Sequence, residues 1–320
     1  MNTSEVGQHL LGPHVVGTRV VVRRVVRGER GPSGGPAMTD LLGVCVRWEP
    51  GPHGVCVVRP ERGPEVSIAL ADIVSGKPVP ERASVRDRVA PGEAQRHGFA
   101  LFPDLVTTPL GSWVLRDSPS ATARRAHSVL AFGPSGVDDD VERVLAHYER
   151  PIAAVLSGSA EHERLLGLGW GPESNDGDTL FQVAGLAQVS RALRKLRVRD
   201  GRPAGPDVVV EDAVPGSWAS ARLGDVARGY AGFGDDWVGF GGIEVAASAR
   251  RRGLGLAVMA ALVEWGAELG ATTAYLQVLD GNGPALGLYE KLGFRTHHRY
   301  CYLSPAPSSL PLGRVRGSGG

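Results

Sequence analysis

The chain has 320 residues, 42% of them hydrophobic and 22% charged, with a formal net charge of +1. That length holds two or three domains with cores of ordinary size. The near-neutral balance excludes a strong overall field that would steer the chain to nucleic acid or anionic lipid.

Of the 35 basic residues only Lys77, Lys195 and Lys291 are lysines, which with the many Gly, Ala and Val residues reads as a GC-rich coding bias rather than phosphate binding. Cys45, Cys56 and Cys301 form no CxxC pair and have no His-rich partner. Neither a disulfide framework nor a metal site is expected, and reduced thiols in a cytoplasm are. The longest apolar run, 254–263, is far too short to cross a bilayer. No membrane partner and a cytoplasmic location are therefore expected.

In chain order, residues 1–13 read as a flexible tail. Residues 14–88 carry "TRVVVRRVV", "DLLGVCVRW", "GVCVVRP" and "EVSIALADI", short β-rich runs separated by Gly/Pro-rich turns. They predict a small β-barrel of the SH3-like kind. Arg19, Arg23, Arg24, Arg27 and Arg30 offer it a basic face. Residues 1–90 nevertheless hold 12 basic against 9 acidic residues, and an aromatic platform is missing, which argues against nucleic acid as a partner.

From 95 to 190 the pattern becomes strand and helix. "GSWVLRD" and "RRAHSVLAFG" predict strands, "DDDVERVLAHYER" an acid-started helix, "PIAAVLSG" a buried strand, "SAEHERLLGLGW" a short helix and "DTLFQVAGL" another strand. Residues 191–206 read as a linker. A third region, 207–304, follows with four strands, the helix after Gly253, a strand at "TAYLQVLD", a helix at "NGPALGLYEKLG" and a last strand at "FRTHHRYCYL". Residues 305–320 read as a disordered tail.

The two later regions hint at duplication. Trp113 and Trp170 are 57 residues apart, as are Trp237 and Phe294. An offset of 124 lays Ala126, Val129 and Ala131 under Arg250, Gly253 and Gly255, and Leu165 under Tyr289. If the halves are copies, the first has lost the glycines and the tyrosine.

"IEVAASARRRGLGLAVMAALVEWGAELG", beginning at Ile243, holds the densest chemical signal. A strand runs into R-x-x-G-x-G at Arg250, Gly253 and Gly255 and opens a helix with one apolar face. The first amides of such a helix have no internal partner and carry a partial positive charge, a ready anion site. Glycines there let an anion approach the backbone. Turn glycines with surface arginines are the plainer alternative.

Downstream, Asn282, Ala285, Leu288, Tyr289, Leu292, Gly293 and Phe294 stand in the order N-x-x-A-x-x-L-Y-x-x-L-G-F. With the glycine turn before them, they make residues 207–302 resemble the GNAT superfamily, the GCN5-related N-acetyltransferases. More broadly, the chain resembles an actinobacterial subfamily often labelled N-acetylglutamate-synthase-like or histone-acetyltransferase-like.

The resemblance implies an α/β (α+β) fold: a C-terminal GNAT mixed sheet flanked by helices over 207–304, preceded by a degenerate GNAT-like half-domain over 95–190 and the barrel. It implies an acetyl-CoA site. The backbone of Ile243 and Val245 would hold the pantetheine, and Arg250 with the amides of Arg251, Arg252, Gly253, Leu254 and Gly255 the pyrophosphate. Asn282 would touch the pantetheine arm. Ala247 departs from the proline often found before the turn.

Acetyl transfer to an amine needs a neutral amine, an oxyanion donor and an acid for the departing thiolate. Tyr289 is the candidate acid, since a phenol near pKa 10 keeps its proton where a thiol near 8.5 begins to lose it. The Val245 amide is the candidate oxyanion donor. Glu244 is the candidate base, with a solvated strand glutamate as the alternative; Gln277 cannot take a proton. At pH 7 an α-amine is neutral about one time in seven, a lysine amine roughly once in 2,500. A site without an evident base thus favours a small-molecule or peptide α-amine. A non-catalytic acyl-CoA sensor and a protein-lysine or histone-like acetyltransferase are the rival readings.

Overall fold

The computed structural model describes residues 11–31, 34–60, 63–79, 84–199 and 208–306. The chain divides into two compact units, 1–84 and 85–320. The predicted C-terminal tail and the first ten residues lie almost wholly outside the described residues.

The first unit is an antiparallel sheet of β1 (Arg19–Arg30), β2 (Pro36–Glu49), β3 (Val55–Pro60), β4 (Val66–Ala69) and β5 (Ile73–Pro78), in the order β4-β3-β2-β1-β5. Alternation sends Val20, Val22, Cys45, Cys56 and Val58 into its core. Leu11, within the stretch read as a tail, is buried with them. Two of the arginines of β1 are paired with acids. Arg23 pairs with Asp40 and Arg27 with Asp72, both at 2.9 Å.

The second unit contains α1 (Pro91–His97), β6 (Val106–Leu110), β7 (Trp113–Asp117), β8 (Val129–Leu130), α2 (Asp140–His147), β9 (Ala153–Leu156), α3 (Ala160–Gly167), β10 (Trp170–Pro172), β11 (Thr179–Gly185) and α4 (Leu186–Arg199). There follow β12 (Val209–Val214), β13 (Trp218–Leu223), β14 (Ala227–Gly234), β15 (Trp237–Val245), α5 (Leu254–Glu268), β16 (Thr273–Leu279), α6 (Gly283–Leu292) and β17 (Arg295–Pro305). Two sequence expectations fail locally. Residues 124–133 form a 3-10 turn and the two-residue β8 rather than a long strand. Ser128 Oγ bonds back to the Arg124 carbonyl at 2.7 Å, and the His127 N–H does so at 3.1 Å, holding the chain in a turn. Residues 191–199, expected to open a linker, continue α4. Leu186, Val189 and Leu193 bury one side of that helix, a period that the intervening arginines hide.

One mixed sheet of twelve strands runs through the unit in the order β12-β13-β14-β15-β16-β11-β17-β9-β8-β7-β6, with β10 pairing β17. This is the α+β mixed sheet flanked by helices that the resemblance implied. Two parallel β-α-β units are embedded in it: β15-α5-β16 and β8-α2-β9. Their neighbouring strands are exchanged. β11, from the first half, inserts between β16 and β17, while β17 pairs β11 through Arg295–Tyr300 and β9 through Tyr300–Leu303. Both halves therefore share one hydrogen-bonded sheet.

The offset of 124 aligns α3 with α6 and Leu165 with Tyr289. It does not align the earlier strands. The chain order of parallel strands matches β8, not β7, with β15, so Ala126, Val129 and Ala131 do not stand in for the glycine turn.

Helices α4, α5 and α6 cover one face of the sheet through Leu193, Val258, Leu262, Leu292 and Phe294. The stretch around α1 and the following 3-10 turn covers the other near Phe181, Trp237 and Tyr275. Gly232 allows this cover: a Cβ there would lie 2.0 Å from the Ala100 carbonyl oxygen.

Candidate active site

The site begins with a glycine pair. On β15, Val238 and Phe240 face α5, and so do Ile243 and Val245. Strict alternation cannot bring 240 and 243 to one face, so a residue is inserted between them. The break falls at Gly241–Gly242, where the register with β14 shifts and Gly242 has φ +58°. The Tyr230 ring lies so close that a Cβ on either glycine would sit 2.5 Å from it.

The bulge also ends the pairing with β16. β15 and β16 are paired only from Trp237–Thr273 to Phe240–Leu276, and beyond that the two parallel strands part. The Ala246 N–H donates to the Val226 carbonyl on the β14 side. By alternation, the backbone groups of Ile243 and Val245 point the other way, into the gap. The Val245 carbonyl there accepts from Arg250 Nε at 3.3 Å.

The turn into α5 runs through Arg251 at φ +60° and Gly253 at φ +76°, both left-handed. Gly253 provides no side-chain cap, and the first turn of α5 carries no acid, so its leading amides have no such acceptor. A Cβ on Gly255 would make only ordinary contact with Val245, 3.4 Å away. Packing within the protein therefore does not demand glycine there.

Tyr289 lies on α6, on the same face of the sheet as α5, packed edge-on against Phe294 at 5.9 Å. Burial raises its pKa above the ordinary phenol value. Asn282 caps α6, its Oδ1 accepting from the Ala285 N–H at 3.3 Å; the cap uses the carbonyl end of that amide.

Glu244 points to the opposite face from Ile243 and Val245. It pairs with Arg228 at 2.6 Å in an exposed position. Both line a cavity of ≈ 370 Å³ together with Trp218, Ser220, Arg222 and Tyr230. Arg222 is itself paired, with Glu211 at 2.6 Å. The structure thus brings the turn, Ile243, Val245 and Tyr289 to one face and puts Glu244 on the other, beside the gap. Tyr230 and Trp218, stacked at 5.7 Å, escaped the sequence reading. The glycine pair before Ile243 was the signal that could have found Tyr230's partner surface.

The gap between the parted parallel strands thus has an uncapped, arginine-flanked helix start on one face and a polar cavity on the other. The fold and this site define an acyltransferase of the GNAT superfamily. Residues 99–303 match the family described as "Probable histone acetyltransferase Rv0428c C-terminal", and the chain belongs to that family. Over 302 residues it is 27% identical to the probable histone acetyltransferase Rv0428c of Mycobacterium tuberculosis (strain ATCC 25618 / H37Rv), covering 89% of this chain and 95% of that protein.

Among solved structures it is similar to a GCN5-related N-acetyltransferase from Kribbella flavida, with 16% identity, TM-score 0.49, and coverage of 73% of this chain and 98% of that one. A tandem GNAT protein from the clavulanic acid biosynthesis pathway is 14% identical, with TM-score 0.43 and coverage of 66% and 86%. Among the described residues no helix is long and apolar enough to cross a membrane.

Proposed function

We propose that the chain transfers an acetyl group from acetyl-CoA directly to the α-amine of a small molecule or peptide. The observation that carries this reading is the parting of β15 and β16 at the Gly241–Gly242 bulge, with the α5 turn on one face and the Glu244 cavity on the other. Bound acetyl-CoA supplies the thioester. The amides from Arg251 to Gly255 hold its pyrophosphate, aided by the arginine charges, and the backbone of Ile243 and Val245 pairs with the pantetheine as an added strand would.

The amine arrives from the cavity face and loses a proton to solvent to become neutral. Its nitrogen forms the C–N bond as the C–S bond breaks, and the acylated nitrogen sheds its surplus proton to solvent to leave the neutral amide. The Val245 N–H faces the gap and stabilises the oxyanion that develops. Tyr289 gives its phenolic proton to the departing thiolate and regains one from solvent. Its raised pKa suits this, because the proton stays in place until a thiolate needs it.

Glu244 is held by Arg228, so it is poorly placed to act as a strong base. An α-amine, already neutral about one time in seven at pH 7, does not require one. The test is release of free thiol from acetyl-CoA over a panel of free amino acids, peptides with open N-termini, and lysine peptides blocked at the N-terminus. Turnover with α-amines is the expected result. Turnover confined to lysine peptides would support the histone-like acceptor that the relative's name suggests. Acetyl-CoA binding with no turnover on any amine would support a sensor.

A further inference from the structure

We infer that the acceptor carries a free carboxylate beside its amine and that Arg125 binds it, which makes the substrate class free amino acids; the inference rests on the acetyl-transfer reading above. Arg124 and Arg125 are adjacent but differently placed. Arg124 is paired with Glu173 at 2.7 Å and Asp176 at 3.3 Å. Arg125 has no ion pair with any carboxylate among the described residues. Its Nε is buried without a hydrogen-bond acceptor, although the residue keeps some exposure. A second guanidinium lies nearby: that of Arg116, a residue 2% exposed, bonds Ser128 and is set over the Phe99 ring. Buried charge without a counter-charge is unfavourable, and an anion at this place offsets it.

The position fits an acceptor. Arg125 interacts electrostatically with Tyr300 and Tyr230. Tyr300 in turn donates to Gln277 Oε1 at 2.5 Å. Gln277 is the first residue of β16 past its last pair with β15, and Tyr230 covers the glycine bulge of β15. Gln277 with Tyr300 and, on the other side, Tyr230 therefore flank the gap between the parted strands on the face away from α5, with the Arg125 charge near both tyrosines. Tyr230 is also a wall of the cavity that holds Glu244. A guanidinium without a carboxylate partner matches the carboxylate of an amino acid. A peptide N-terminus or a protein lysine has spent that carboxylate in an amide bond.

The experiment compares each of the twenty L-amino acids with its carboxamide as acceptor for the full-length chain. It uses thiol release from acetyl-CoA and, in parallel, thermal shift with the amine alone. The wild type should use the best amino acid ~10–100-fold better than its carboxamide, the worth of one charge-assisted hydrogen-bond pair. Arg125→Gln should raise the KM for that amino acid by a similar factor, leave the KM for acetyl-CoA in place and erase the preference over the carboxamide. Arg125→Lys should restore part of it. A carboxamide used as well as its acid by the wild type, or a preference untouched in Arg125→Gln, overturns the proposal while leaving acetyl transfer intact. If no amine turns over, thermal stabilisation by an amino acid but not its carboxamide, lost in Arg125→Gln, upholds the carboxylate site and removes the transfer reading. Absence of that stabilisation removes both.

Discussion

The two parallel β-α-β units of the large sheet share a topology and differ in what the start of the helix is offered. In β15-α5-β16 the strand has nine residues, and its last five lie beyond its last pair with the partner strand. The helix then begins at a left-handed glycine beside three arginines. In β8-α2-β9 the strand has two residues, both paired, with nothing left over to part. Helix α2 begins with Asp140 and Glu142 in its first turn. Asp140 is buried and accepts from Ser135 Oγ at 2.5 Å and Arg164 at 2.6 Å. One helix start carries no acid in its first turn and stands beside three arginines; the other carries two acids there. The two units thus differ, without a change of topology, in the length of the first strand and in the charge at the start of the helix.

The largest expected effect separates α6 from α3. Tyr289 occupies the α6 position that Leu165, fully buried, occupies in α3. Tyr289→Phe should lower kcat by ~10²–10⁴-fold, the range of a general acid, with the KM for acetyl-CoA little changed. An equal rise in KM would make the phenol a binding group instead. A kcat within a few-fold of wild type would end its role as acid.

Next comes β17, the strand that both halves use. His298 on this strand is 7% exposed and sits against Gln95 and His297. Burial, reinforced by the neighbouring His297, lowers its pKa to about 3. Since the unfolded value is near 6.5, the unfolded chain binds the extra proton first as pH falls. Stability is therefore full above pH ~6.5 and declines by about 1.4 kcal/mol per unit toward pH 3 from this residue alone. Urea melts at pH 6.5, 5.5 and 4.5 should show a loss of roughly 2 kcal/mol that His298→Gln removes. The same slope in the variant would place the acid sensitivity elsewhere.

How far the sequence revealed all this depended on whether a feature is local. The R-x-x-G-x-G turn and the "LYEKLGF" helix are local patterns, and each lies on the element expected of it. The parting of β15 from β16 was only half visible: Gly241–Gly242 marked an irregular strand, but which partner it lost depends on pairing across the sheet. Helix α4 was hidden because its buried leucines alternate with arginines that composition reads as linker. The Gln277–Tyr300–Arg125 grouping joins three segments far apart in the chain. No spacing rule connects them. Strand exchange between the halves was equally invisible, since β11 and β17 follow ordinary strand patterns and choose partners only in the assembled sheet.

The smallest effect tests whether the α5 turn is shaped for a ligand or merely for packing. Gly253, at φ +76°, is a poor test because any side chain there strains the backbone. Gly255 is a better one. A Cβ on it would meet only Val245 and Ile243, at 3.4 and 3.6 Å, so Gly255→Ala fits without displacing its neighbours. Alanine is also the better helix former, by about 0.5–1 kcal/mol. If the glycine served the fold alone, the variant should be as stable as the wild type or slightly more so, and equally active. If the amides of this turn must approach a pyrophosphate, the added methyl holds the anion off. The KM for acetyl-CoA should then rise ~10–100-fold with kcat nearly kept, since charge-assisted amide bonds weaken in the bound state and transition state alike. The matching change in the other unit, Asp140→Asn, removes the acid from the start of α2 and should leave that KM where it was. An unaltered KM in Gly255→Ala, in a variant whose melting point has not fallen, would mean that the two helix starts differ in charge but not in use.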